Sequence, residues 1–104
     1  MPPELIDQFN TQMLNIYHRA KDEVNYKASR FFHMIGEHGG LETARILINS
    51  NSVSEGYTKL WERGRLDLTV EALVLDNPEY HSLFNDEDVE RCRQRLSEYN
   101  YNAS

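Results

Sequence analysis

The run from Gly39 to Leu75, GGLETARILINSNSVSEGYTKLWERGRLDLTVEALVL, constrains this chain more than any other segment. It holds the only Trp, and its aliphatic residues recur at three- and four-residue spacing between Gly39-Gly40, the polar cluster Asn49-Ser50-Asn51-Ser52 and Gly64. Apolar residues at that spacing share one helix face, while short polar residues and Gly end helices by competing for backbone hydrogen bonds or by turning left-handed. The run therefore predicts three short helices. The first carries Leu41, Ala44, Leu47 and Ile48, and the second Tyr57, Leu60 and Trp61, with Trp61 read as core. In the third, Val70, Leu73 and Val74 face one way and Leu68, Ala72 and Leu75 widen the apolar surface, so it should be the most buried element. Ser52 or Ser54 is placed to cap the second helix, Asp67 or Thr69 the third, and Gly64 to make the left-handed turn between them.

Helical periodicity continues on both sides. Leu5, Ile6, Phe9, Met13, Ile16, Tyr17, Ala20 and Val24 form one stripe of a helix about five or six turns long. A further helix from about Asn25 or Tyr26 carries Ala28, Phe31, Phe32 and Ile35 and stops at Gly36, Gly39 and Gly40. Downstream, Pro78 opens a helical turn through Tyr80, Leu83 and Phe84, Pro being favourable at a first helical position. Asn85 then caps a last helix with Asp86, Glu87 and Asp88 in its first turn and Arg91, Arg93 and Arg95 further on, matching the helix dipole. Its inner stripe is Val89, Cys92, Leu96 and Tyr99. No segment alternates with period two or repeats at a fixed interval, which excludes sheets and solenoids. The expectation is an all-α fold, a compact bundle of five or six helices in a single domain over 1–104, with 1–4 and 100–104 frayed.

A chain of 104 residues is long enough for one core, which takes up roughly two-thirds of the unfolded surface. The net charge of −6 works against attraction to nucleic-acid phosphates and favours protein partners. Only residues 25–50 carry a net positive charge. The start, MPPELIDQF, lacks the basic and apolar regions of a secretory signal, and no stretch is apolar enough to span a bilayer, so the expected location is cytoplasmic. The single Cys92 fits a reducing compartment; Arg91, Arg93 and Arg95 around it could lower its thiol pKa, but with no His in local reach to form a Cys/His pair it is read as structural.

No complete catalytic or ligand-binding motif emerges. His33 and Glu37 are four apart with His38 adjacent, half of a metal site, but the order H-x-x-x-E-H departs from the zinc patterns, and a surface ion pair explains it better. Gly39-Gly40 precede a helix, yet no Lys and hydroxyl follow at phosphate-loop offsets, so a tight interhelical turn is the better reading. Leu41 to Arg63 fits a helix-turn-helix, which would require Lys27, Arg30, Arg45, Lys59 and Arg63 to converge on one face against the acidity of Glu55 and Glu62. Arg63, Arg65, Asp67 and Glu71 suit a structural charge network, and with Trp61 and Gly64 they are read as framework residues.

The blocks GGLETARILI, GYTKLWERGRLDLTVEALVL and the closing R-x-R-L-S-E-Y resemble a set of small all-helical bacterial proteins that share GG-L-x-x-A and LW-x-x-GRLDL-x-VE, over roughly residues 12 to 101. The resemblance implies the fold alone and brings no activity, cofactor or catalytic residue with it. From composition, the function expected is non-enzymatic protein binding, as a small acidic subunit, adaptor or inhibitor of a bacterial complex. A helix-turn-helix nucleic-acid binder and a small metal-dependent enzyme are the alternatives. Six Tyr, four Phe and one Trp are generous for a small bundle, and such rings are enriched at interfaces. Tyr26, Tyr80, Tyr99, Tyr101, Glu87 and Asp88 are the expected partner contacts. No cofactor or membrane is expected, and self-association is compatible with the composition.

Overall fold

A computed structural model describes residues 3–101. Six α-helices follow one another: α1 (Pro3–Val24), α2 (Ser29–His38), α3 (Gly40–Ile48), α4 (Glu55–Glu62), α5 (Val70–Asp76) and α6 (Asp86–Glu98). Short 3₁₀ helices at Leu66–Leu68 and Pro78–Leu83 flank α5, and the described residues contain no strand. The all-α expectation holds.

Helix ends explain most of the chain's turns. Ser54, Thr69 and Asn85 each accept the backbone N–H three residues on, capping α4, α5 and α6. Asp67 does not cap: it sits inside the 3₁₀ helix that precedes Thr69. Gly64 has φ of 70°, and there the Arg65 and Gly64 amides donate to the Leu60 and Trp61 carbonyls, a Schellman turn that needs a left-handed residue. The same pattern recurs at Asn100, φ 61°, where the Tyr101 and Asn100 amides reach Leu96 and Ser97.

That second turn corrects the expected fraying at 100 and 101. Tyr101 packs on the core around Tyr57 and Leu96, and its hydroxyl donates to Asp76 Oδ2 at 2.5 Å. Pro3 and Glu4 belong to α1, while 1–2 and 102–104 lie outside the described residues. The second helix begins at Ser29, later than the apolar spacing suggests. Asn25 turns left-handed at φ 56°, and Ala28 at φ −81°, ψ 69° makes an inverse γ-turn closed by the Ser29 amide on the Lys27 carbonyl at 2.9 Å.

The main core joins Phe9, Met13 and Ile16 of α1 to Ala44 and Ile48 of α3, Val70, Leu73 and Val74 of α5, and Val89 and Cys92 of α6. A second cluster gathers Tyr57, Leu66, Ala72 and Leu96, and a third Ala20, Leu60 and Leu68. Every residue from Val70 to Val74 is buried, so α5 is the central element the periodicity indicated. α1 and α3 touch at Gly40: a Cβ there would lie 2.9 Å from the Asn10 Cα, and Leu41 N–H donates to Asn10 Oδ1 at 3.1 Å. Gly40 is thus required by close approach of two backbones rather than by turn geometry.

The core placement of Trp61 and a lowered thiol pKa at Cys92 both fail. Trp61 is 47% exposed, because α4 turns Tyr57 and Leu60 inward and position 61 falls about 100° around the helix from Leu60. Cys92 is fully buried, and burial pushes its thiol up to about 12, outweighing the nearby Arg95 and Arg91 charges.

Candidate functional site

A cleft of about 650 Å³ lies between the C-terminal half of α1 and α4. Ile16, Tyr17 and Ala20 of α1 form one wall, Tyr57 and Leu60 of α4 another, and Leu47, Leu68 and Val70 much of the remainder. The connection 26–28, with the first turn of α2, and Ser50, Ser52, Val53 and Glu55 complete the lining, Tyr26 approaching the start of α4 closely enough that a Cβ at Gly56 would lie 3.7 Å from its hydroxyl. Two side chains of α6 anchor the 49–54 connection beside it: Arg91 Nη1 donates to Asn49 Oδ1 at 2.7 Å, and Arg95 makes the more buried contacts. Arg95 donates through Nη1 to the Leu47 carbonyl at 3.1 Å and to Glu71 Oε2 at 3.0 Å, and through Nη2 to the Ser50 carbonyl at 2.6 Å. Both members of the ion pair are almost inaccessible. Burial pushes the Glu71 carboxyl upward, opposed by its own backbone amide and by Arg95.

Tyr57 lines the inner wall with Glu71, and its buried hydroxyl has no hydrogen-bond partner among the described residues. Burial, then the Glu71 charge, raises the phenol pKa, so it stays neutral. Tyr57→Phe should therefore leave stability unchanged or raise it by up to about 1–3 kcal/mol, since it deletes a desolvated group and no bond. Urea unfolding measures this, and a loss above about 1 kcal/mol would mean that the hydroxyl is bonded.

The structure separates the expected partner contacts. Tyr80 is 2% exposed and packs edge-on against Phe9 at 5.1 Å, so it is a core residue and not a surface contact. Asp88 is also buried, turned inward beside Val89 and Cys92 in the first turn of α6, whereas Glu87 is exposed. Tyr26 lines the cleft, half-buried, under the Arg63 guanidinium at 5.6 Å. Tyr99 lies between Tyr57, at 5.1 Å, and Trp61, at 5.4 Å, both edge-on. Tyr101 is tied to Asp76.

Among the framework residues, Arg65 bridges Asp67 at 3.0 Å and Glu23 of α1 at 2.8 Å. Hydrogen bonds from Arg19 first and Arg65 second hold the Glu23 carboxyl down at about 2. A depressed carboxyl stabilises the fold above the ordinary carboxylate range, and this contribution is lost as the pH falls towards that value. Glu71 stands apart from this network, on Arg95. That partner was missed because the Arg residues of α6 read as dipole charges, although Asp88, Cys92, Arg95 and Tyr99 at i, i+4, i+7 and i+11 already place Arg95 on the inner face.

The cations proposed for nucleic-acid contact have different surroundings. Lys59 pairs with Glu62 at 3.9 Å, Arg63 donates to the Val24 carbonyl at 3.2 Å, and Arg45 donates to the Leu83 carbonyl at 2.8 Å. Lys27 and Arg30 stand at the cleft rim. His38 lies 3.8 Å from the adjacent Glu37 carboxylate, and His81 Nε2 meets the Val74 carbonyl at 2.9 Å. Among the described residues, no group of three or more His, Cys, Asp or Glu side chains is arranged to hold a metal ion. No helix among them is long and apolar enough to cross a membrane. Scans against protein-family models, curated proteins and solved structures found no match.

Proposed function

We propose that the protein is a non-enzymatic binding module that docks another protein through the Trp61–Tyr99 face. The observation that carries this reading is the placement of the only Trp, half-exposed yet braced edge-on by Tyr99 at 5.4 Å. A large ring held in one orientation loses little entropy on docking, and exposed Trp and Tyr are the residues most often found as binding anchors. Glu62 and Glu98 adjoin the pair in sequence, and the chain carries −6, so the complementary partner presents Lys or Arg around an apolar pocket.

Trp61→Ala separates docking from folding. Since the indole is only half buried, the substitution should cost about 1–2 kcal/mol, below the cost of a full core deletion. It should abolish stoichiometric capture of the partner by tagged protein in the presence of nuclease. Phe32→Ala, removing another exposed ring, at 44%, should leave capture intact. Equal capture by the wild type and Trp61→Ala would contradict the reading.

A further inference from the structure

We propose that the cleft between the α1–α2 connection and α4 binds a small organic anion with an apolar body, a straight-chain carboxylate being the simplest example. This site is distinct from the Trp61–Tyr99 face and does not depend on it.

Size and lining set the body of the ligand. About 650 Å³ falls within the range of small-molecule sites, and the walls supplied by Ile16, Ala20, Leu47 and Leu60 offer no polar group to a chain lying along them. Charge sets the head group. Lys27 and Arg30 are both exposed at one rim, and neither forms an ion pair among the described residues, unlike Arg19, Arg65 and Arg95. The N-terminus of α2 lies between them. Its N-cap is Ala28, which has no side chain able to cap, so the positive end of the helix dipole adds to the two cations. The other charged groups lining the cleft are Glu55, in the first turn of α4, and Glu71, already engaged by Arg95. An anionic head is therefore favoured beside Lys27 and Arg30.

The test is displacement of 8-anilinonaphthalene-1-sulfonate, an aromatic sulfonate whose fluorescence rises in apolar sites, from the full-length chain. Dodecanoate should displace it with one-to-one stoichiometry. Dodecylammonium, of the same length and opposite charge, should be at least about tenfold weaker, equivalent to about 1.4 kcal/mol. Lys27→Glu combined with Arg30→Glu should weaken dodecanoate at least about tenfold while the thermal unfolding midpoint holds, both side chains being exposed. Trp61→Ala should bind dodecanoate like the wild type, so failure of the docking face and failure of the cleft remain distinguishable. Equal affinity for dodecanoate and dodecylammonium, no effect of the double charge reversal, or binding only of an acidic peptide would each overturn the proposal.

Discussion

Arg95→Met should lower the free energy of unfolding by about 3–5 kcal/mol, a large part of the ~5–15 kcal/mol that holds a domain of this size together. The substitution keeps most of the aliphatic length of the side chain but removes the cation that, among the described residues, pairs with the buried Glu71, along with the donors to the Leu47 and Ser50 carbonyls. The 49–54 connection loses its buried anchor and keeps the Arg91 contact to Asn49. The loss should depend on pH in a definite sense. With Arg95 gone, desolvation holds the folded Glu71 pKa above its unfolded value. The protonated group is tolerated, so the variant's deficit is small below the unfolded pKa and grows as the pH rises through the folded one. Urea titrations at acidic and neutral pH check this, and the combined Glu71→Leu, Arg95→Met variant should recover much of the loss. A deficit below about 1 kcal/mol at neutral pH would show that the pair is hydrated.

Phe9→Ala should cost about 3–5 kcal/mol, from lost burial and from a cavity that the surrounding helices cannot fill. Phe9 is fully buried and holds two rings from the far end of the chain, Tyr80 edge-on at 5.1 Å and Phe84 at 5.5 Å. Those contacts fasten the Pro78–Leu83 turn to α1, so the variant should also speed amide exchange there before the rest of the protein opens. Thermal and urea unfolding give the first number and hydrogen exchange the second. A cost near that of an exposed site would place Phe9 outside the cooperative core.

Local rules carried most of the fold. The caps at Ser54, Thr69 and Asn85, the left-handed Gly64 and the inward faces of α1, α5 and α6 follow from spacing and side-chain chemistry within one helix turn. What spacing does not contain is the angle at which neighbouring helices meet. Trp61 and Leu60 are both apolar on a short helix, and only packing against Leu68 and Ala20 decides that Leu60 turns inward. Tyr80 and Asp88 fail as surface residues for the same reason, since their burial depends on α1 and on neighbouring side chains of α6. The cleft was invisible in the sequence, because its lining comes from α1, α4 and two connections that lie apart along the chain. A hint existed in the basic balance of residues 25–50, which places Lys27 and Arg30 beside a helix start with no capping side chain.

The most direct test of the docking account is photo-crosslinking from a benzophenone amino acid placed at position 61, with position 32 as the exposed control, in cells and then with the purified partner. The account predicts one protein adduct of defined mass from position 61, absent from position 32 and reproduced in the purified pair at equal stoichiometry. Equal crosslinking from both positions, or from neither, would contradict the assignment of the Trp61–Tyr99 face as the docking surface.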